Sequence, residues 1–296
     1  MGRPIDMMIV GAQKAGTTSL LRYLGEHPQC ISHPQKEFAY FTDKAEYAEG
    51  LAAALKKYYS HQSYTNNTVV IAKNAGLFTD MNGLARLKKN NPNCQLVFIL
   101  RNPVERTYSS YLMEKNFGTV KFEFEDLPEM INKHQNNNEN TWDFDFFIEY
   151  SLYSHHLKNI YSLFSKENVN IVLYEDLKND TQGVCRKLFE KLKIDSSFMP
   201  NVELKHNITQ KTRSNYYARA VKHLLRNQNP IKKFIKKFVP GHKVYKYGEL
   251  LREANKTEKK HSPIDTNVKK FLIEYYRPFN HELEEMIGKD LSLWNK

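Results

Sequence analysis

Four apolar residues, Met7 to Val10, stop at Gly11. After the short loop Ala12-Gln13-Lys14-Ala15-Gly16, Leu20, Leu21 and Leu24 share one helical face. A strand that enters a helix through a glycine-bounded loop constrains the fold more than any other feature of this chain. A short, wholly apolar strand is buried on both faces, so it needs further strands beside it and helices above and below it. Similar runs occur at Val69–Ala72, Gln95–Leu100 and Val169–Leu173. Between and after them lie segments with helical spacing, from Asn102-Pro103 toward Lys115, from Phe146 to Phe164, from Val184 to Leu192 and from Val268 to Ile287. Asn102 is a good N-cap and Pro103 suits the first helical position. The alternation predicts an α/β fold with a central parallel sheet flanked by helices. Phe117 to Asn140 is polar and contains Gln135-Asn136-Asn137-Asn138, which predicts an exposed loop. With no internal repeat and no Gly/Ser linker, residues 1–296 are expected to form a single domain.

The composition excludes several classes. Hydrophobic residues make up 41% of the 296, enough for a sizeable core, and the apolar runs fall far short of the ~18 residues of a membrane span. The opening residues Met1 to Asp6 carry no apolar signal core and no Ser/Thr at position 6 for myristoylation, so a cytoplasmic protein is expected. Three scattered cysteines, Cys30, Cys94 and Cys185, make neither a zinc knuckle nor a disulfide framework, and no metal is expected. The net charge of +11 is unevenly spread: Lys205 to Gly248 holds twelve Lys/Arg and no Asp or Glu. Such a segment suits an anionic partner. Ile231, Phe234, Ile235, Phe238 and Val239 alternate there with Lys232, Lys233, Lys236 and Lys237, the pattern of an amphipathic basic flap.

Backbone N–H groups of a glycine loop and the helix start behind it form an anion site. Gly11 and Gly16 have the spacing of a nucleotide P-loop, yet Thr17-Thr18 follow where a Walker motif needs Lys-Ser/Thr, and the lysine sits inside the loop as Lys14. The phosphate cradle is kept without the ATPase signature. Gly11 to Thr18 resembles the 5′-phosphosulfate loop of sulfotransferases that use 3′-phosphoadenosine 5′-phosphosulfate (PAPS). Val97-Phe98-Ile99-Leu100-Arg101-Asn102-Pro103, continuing to Tyr111, resembles that family's 3′-phosphate motif, a strand ending in Arg with a helical Ser eight residues later. Pro34 to Phe41, Ala72-Lys73-Asn74-Ala75, Tyr174-Glu175-Asp176-Leu177 and Tyr275 through Trp294 are similar to further stretches of its heparan-type and bacterial branch. Phe38 and Ala39 stand where that branch has Pro and His, Ala72 replaces a Glu, and Asn74-Ala75 replaces Thr/Ser-Pro. The acceptor side therefore matches less well than the phosphate side.

The resemblance implies a P-loop-like sulfotransferase fold and transfer of the sulfonate of PAPS to a hydroxyl or amine of a soluble small-molecule or glycan acceptor. It implies that Gln13, Lys14, Ala15, Gly16, Thr17 and Thr18 bind the 5′-phosphosulfate and that Arg101 and Ser109 hold the 3′-phosphate. Lys211 and Arg213 would close over the nucleotide, and Lys14 and Lys73 would face the transferring group. Glu37 is the first candidate for the base that takes the acceptor proton, and His33 is its rival; His155 and His156 come next. No nucleic-acid-binding pattern is present. The alternative is a basic protein that holds a nucleotide or nucleic acid without catalysis.

Overall fold

Each apolar run becomes a strand of one parallel sheet. In the computed structural model, which describes residues 4–60, 65, 67–137, 141–202, 211–212, 256–257 and 262–296, the strands are β1 (Met7–Gly11), β2 (Cys30–Ser32), β3 (Val69–Lys73), β4 (Gln95–Leu100) and β5 (Val169–Leu173). They lie side by side in the order β2-β3-β1-β4-β5. Every residue of the central β1 is buried, as its unbroken apolar run requires.

The sheet is flanked by helices. Helix α1 (Thr17–Gly25) packs on β1, β2 and β3, while α2 (Lys44–Glu49) and α3 (Leu51–Tyr59) form a pair between β2 and β3. Helix α4 (Met81–Asn90) lies between β3 and β4, and α5 (Pro103–Asn116) leaves β4 with Asn102 Oδ1 accepting from the Val104 and Glu105 amides. The connection out of β1 heads for the β2 edge, whereas those out of β3 and β4 head for the β5 edge. With the right-handed crossovers that parallel strands take, this order sends their helices to opposite faces, the topology for which the ligand crevice is expected beyond the carboxyl ends of β1 and its neighbours. That crevice is where an open α/β sheet takes its ligand.

The chain groups into two compact units, one of Met1–Arg106, Ile148–Asn207 and Ile273–Lys296, the other of Thr107–Phe147 and Ile208–Leu272. The first holds the five-stranded sheet. The second holds the continuation of α5, α6 (Leu127–Asn137), α7 (Trp142–Phe147) and two short antiparallel strands, β6 (Lys211–Thr212) and β7 (Lys256–Thr257). Its core is aromatic: Tyr111 packs against Phe124 and Phe147, and the Thr107 hydroxyl donates to the Phe147 carbonyl.

The structure corrects three readings. Phe117 to Asn140 is not one exposed loop, because α6 occupies Leu127–Asn137. Phe124, Leu127 and Ile131 recur at helical spacing and are buried, a stripe that the surrounding polar residues mask. The stretch Phe146 to Phe164 is not one helix. It breaks at Leu152 (φ −82°, ψ 67°), between a short 3-10 turn and α8 (Tyr153–Leu163). Thirdly, β2 joins the four expected strands as an edge strand of three residues. Helices α9 (Tyr174–Asn179), α10 (Thr181–Leu192) and α11 (Thr266–Ile287) complete the described α-helices. Among the described residues no helix is long and apolar enough to cross a membrane. Of the basic stretch Lys205–Gly248, Lys211 and Thr212 are described as backbone; Arg213 and Lys232 to Lys237 lie outside the described residues.

Candidate active site

The loop after β1 is shaped by close approach and by two left-handed residues. A methyl group on Gly11 would meet Phe78 Cδ1 at 2.4 Å, so only glycine lets the strand leave beside that ring. Phe78 is itself fixed, since it is buried against Phe98, Tyr150 and His156. The Ala12 amide then donates to the Ile99 carbonyl of β4, and the Ala15 amide donates back to Ala12. Lys14 (φ 72°) and Gly16 (φ 87°) take left-handed backbone, which turns the chain into α1. Gly16 is the N-cap and offers no side-chain acceptor to the amides of the first turn. Those amides, the hydroxyls of Thr17 and Thr18, and Lys14 make a set composed of donors, at the positive end of a helix. Thr17 is buried; Gln13, Lys14, Gly16 and Thr18 are half-buried and Ala15 is buried.

The end of β3 carries the second half of the site. Ile9 of β1 faces Lys73 of β3 in the parallel register, so the loop and Lys73 emerge at the same edge of the sheet. Lys73 is 1% exposed, and its Nζ donates to Glu37 Oε1 at 2.9 Å. The other carboxylate oxygen, Oε2, accepts from the Ala75 amide at 2.8 Å. Burial pushes the Lys73 ammonium below the usual lysine range, and Glu37 opposes that shift. Taking a lone ammonium out of water costs several kcal/mol, so the paired carboxylate keeps this lysine charged. Glu37 is one-third exposed and reaches solvent, whereas Lys73 does not.

The neighbouring side chains hold this pair in place. The Phe38 amide donates to the Lys73 carbonyl at 2.7 Å, and Asn74 Nδ2 donates to the Phe38 carbonyl and to Thr42 Oγ1. Asn74 Oδ1 accepts from Gly76, closing the turn after β3. His33 is 3% exposed and has both ring nitrogens engaged with backbone: Nδ1 with the Gln35 carbonyl and Nε2 with the Lys73 amide. Burial, with Lys73 close by, pushes its imidazole down to about 4. His156 is likewise buried, bonded through Nε2 to the Glu149 carbonyl, and pushed down to about 4 chiefly by burial. His155 is half exposed and packs on Phe279.

Arg101, the first residue past β4, is tied to the loop. Its Nη1 donates to the Lys14 carbonyl at 2.9 Å, its guanidinium lies over the Tyr174 ring, and Glu105 sits 3.6 Å from Nη2. Because Leu100 pairs with Leu173, Arg101 and Tyr174 each follow directly on paired strand ends, and the register brings them together. Ser109 is buried on the part of α5 that belongs to the second unit. Lys211 lies in β6, paired opposite Thr257. Sequence reasoning passed over Arg106, which is fully buried with its Nε donating to Ser151 Oγ. It also passed over Phe78 and Asn74 as props of the site. The signal for Asn74 was present as a departure from the Thr/Ser of the resembling enzymes; Phe78 and Arg106 carry no signal that a single sequence separates from ordinary packing.

A phosphate-type loop after β1, a buried lysine paired with a solvent-reaching glutamate at the end of β3 and an arginine at the end of β4 thus converge on one edge of a parallel sheet. The sequence profile of the sulfotransferase domain matches residues 4–262. The mouse heparan sulfate glucosamine 3-O-sulfotransferase 3B1 is 25% identical over 286 residues, covering 96% of this chain and 64% of that protein. The membrane-associated sulfotransferase kil1 of Dictyostelium discoideum is 33% identical over 106 residues, which is 36% of this chain and 22% of that protein. The chain therefore spans less than two-thirds of the length of both relatives. Among solved structures, the sulfotransferase from Alicyclobacillus acidocaldarius aligns over 100% of both chains with a TM-score of 0.67 at 19% identity, a likeness of fold. The profile match runs from before β1 nearly to the start of α11 and takes in the loop, the Lys–Glu pair and Arg101, and on that extent the chain belongs to the sulfotransferase domain family.

Proposed function

We propose that this chain transfers the sulfonate group of PAPS to a hydroxyl or amine of a small-molecule or glycan acceptor. The observation that carries the reading is the Glu37–Lys73 pair, a solvent-reaching carboxylate on a buried ammonium, at the edge where the Lys14 loop emerges. The residues there fit a phosphorylated donor. First-turn amides, two threonine hydroxyls, Lys14 and Arg101 are all hydrogen-bond donors or cations, and Gly16 leaves the helix start without a competing cap. When bound, the nucleotide supplies a sulfonate activated by a phosphate leaving group.

The chain's own residues divide the remaining work. Gln13 to Thr18 hold the 5′ end of the nucleotide, and Arg101 grips its 3′-phosphate, with Ser109, Lys211 and Arg213 in the roles that the resemblance implies. Glu37 accepts the proton of the attacking hydroxyl or amine as the new bond to sulfur forms and the bond from sulfur to the leaving oxygen breaks. Its access to solvent suits it to meet an acceptor, and the engagement of both His33 nitrogens with backbone favours Glu37 over His33. Protonation of Glu37 removes the counter-charge of Lys73 just as negative charge develops on the leaving group, so the ammonium and Lys14 are there to stabilise it. The heparan-type relative supports a glycan as one acceptor to test; the substitutions around Glu37 and Lys73 keep small molecules in the panel.

The test is transfer of labelled sulfonate from PAPS to a panel of hydroxyl- and amine-bearing glycans and small molecules. Labelled product from wild type, absent with Glu37→Gln while nucleotide binding persists, is the expected result. Tight nucleotide binding with no transfer to any acceptor in the panel would favour a non-catalytic nucleotide-binding protein instead.

A further inference from the structure

We propose that His33 is a positioning residue, whose imidazole takes the place of a strand carbonyl and fixes the peptide of Lys73, and through it the Glu37–Lys73 pair. The inference rests on the roles proposed above for that pair.

The argument begins with the ladder. β2 runs beside β3 with Cys30, Ile31 and Ser32 opposite Val69, Val70 and Ile71. Had β2 continued, its backbone would have gone on serving the polar groups that β3 turns toward it. It stops at Ser32, and Pro34, which has no N–H, follows two residues later. The N–H and C=O of Lys73 point to this vacated side, because the Asn74 amide on the opposite side bonds to Ile9 of β1. A buried, unpaired N–H would cost about 1–3 kcal/mol. The chain satisfies three successive groups in turn. His33 Nε2 accepts the Lys73 N–H at 3.1 Å, the Phe38 N–H donates to the Lys73 carbonyl, and Glu37 Oε2 accepts the Ala75 N–H. Residues 33–38 therefore continue the sheet by proxy, with one imidazole, one backbone amide and one carboxylate in place of a strand.

The arrangement fixes the state of the ring. A donor at Nε2 requires a lone pair there, so the proton resides on Nδ1, which donates to the Gln35 carbonyl at 2.9 Å. The groups that face the ring are Lys73 from β3, Tyr58 and Tyr59 from α3, and Phe38 of its own segment. None is a carboxylate, and the Tyr59 hydroxyl is itself tied to the Ile71 carbonyl. A ring so held cannot take a proton from an acceptor without giving up the Lys73 amide. Its effect on transfer runs through the placement of Lys73 and Glu37.

Two measurements test this. In protein labelled with ¹⁵N-histidine, with the His33 signal assigned by its loss in His33→Gln, the ring is expected to be neutral, protonated at Nδ1 and invariant between pH 7.5 and 5.5. A ring that titrates in that range overturns the proposal, and this arm is independent of any enzymatic reading. In transfer assays His33→Ala is expected to lower kcat by about 10- to 100-fold with the nucleotide Kd within about threefold of wild type. His33→Gln, which restores an acceptor but cannot serve as a base, is expected to recover most of that loss. Equal loss in the Gln and Ala variants, or wild-type turnover in both, overturns it. Absence of transfer by the wild type would count against the proposed function, while the ring's tautomer would still decide the positioning role.

Discussion

Gly11→Ala should destabilise the fold and loosen the loop after β1 together, because one ring links them. The added methyl would lie 2.4 Å from Phe78 Cδ1 and 3.0 Å from Cε1 and Cγ, against a comfortable carbon–carbon separation of about 3.5–4.0 Å. Relief requires a shift of roughly an ångström. Phe78 is 1% exposed, with Phe98, Tyr150 and His156 at ring-centroid separations of 5.0, 5.4 and 4.8 Å, so it has little room to yield. Overpacking of a well-filled core costs about 1–3 kcal/mol, and confinement on three sides places this case near the upper end. Urea unfolding measures it. Phe78→Leu alone should also destabilise, by about 1–2 kcal/mol, because it removes buried ring atoms. In the double variant the smaller side chain makes room for the methyl. The combined cost should fall short of the sum of the two by at least about 1 kcal/mol, the coupling of residues in contact. Gly11→Ala within about 0.5 kcal/mol of wild type, or strict additivity in the double variant, would refute this account of how the loop is shaped.

The remaining expectations concern chemistry and pH. Lys14→Ala should reduce transfer by about 10²–10³-fold, as loss of a charge-assisted contact made mainly in the transition state does, with an unchanged unfolding midpoint; turnover of labelled PAPS within threefold of wild type would remove Lys14 from the reaction. Glu37→Gln should abolish turnover while calorimetric affinity for the nucleotide changes by less than about fivefold, since the amide keeps the shape and cannot take a proton; retained turnover would assign the base elsewhere. Stability should fall on acidification. His33 and His156 stay neutral in the folded chain down to about 4, whereas unfolded imidazoles protonate near 6.5, so between these values the unfolded state binds more protons. Each group withdraws on the order of 2–3 kcal/mol as pH drops through that window, and full stability is present above about 6.5. Urea midpoints at pH 7.5 and 4.5 measure the loss, and His156→Gln should lessen it; a loss as large in that variant as in wild type would mean that His156 does not contribute.

The parts of this site that were legible in the sequence are those built by local rules. The β1 loop shows as an apolar run, two glycines and a leucine face, and the end of β4 shows because an apolar run gives way to Asn102-Pro103, a helix-start signal; the resemblance then singles out Arg101 between them. β2 was hidden by its brevity, because three residues carry too little alternation to stand out. Helix α6 was hidden by an asparagine-rich tail that outweighed Phe124, Leu127 and Ile131. His33 was legible as a histidine near Glu37 but not in its role. That role depends on β2 leaving the sheet one residue earlier, and so on which strand lies beside Lys73, which is a long-range fact. The Glu37–Lys73 pair joins residues 36 positions apart, so only the resemblance brought them together in advance.

The central claim is that this edge of the sheet recognises a 3′-phosphorylated adenine nucleotide. Calorimetric titration of the wild type with 3′-phosphoadenosine 5′-phosphate and with adenosine 5′-phosphate tests it most directly. The two ligands differ only in the group assigned to Arg101. Charge-assisted contacts of about 1.5–3 kcal/mol each should give a preference of at least about tenfold for the 3′-phosphorylated ligand, and Arg101→Ala should remove most of it. Equal affinity of the wild type for the two nucleotides would contradict the claim.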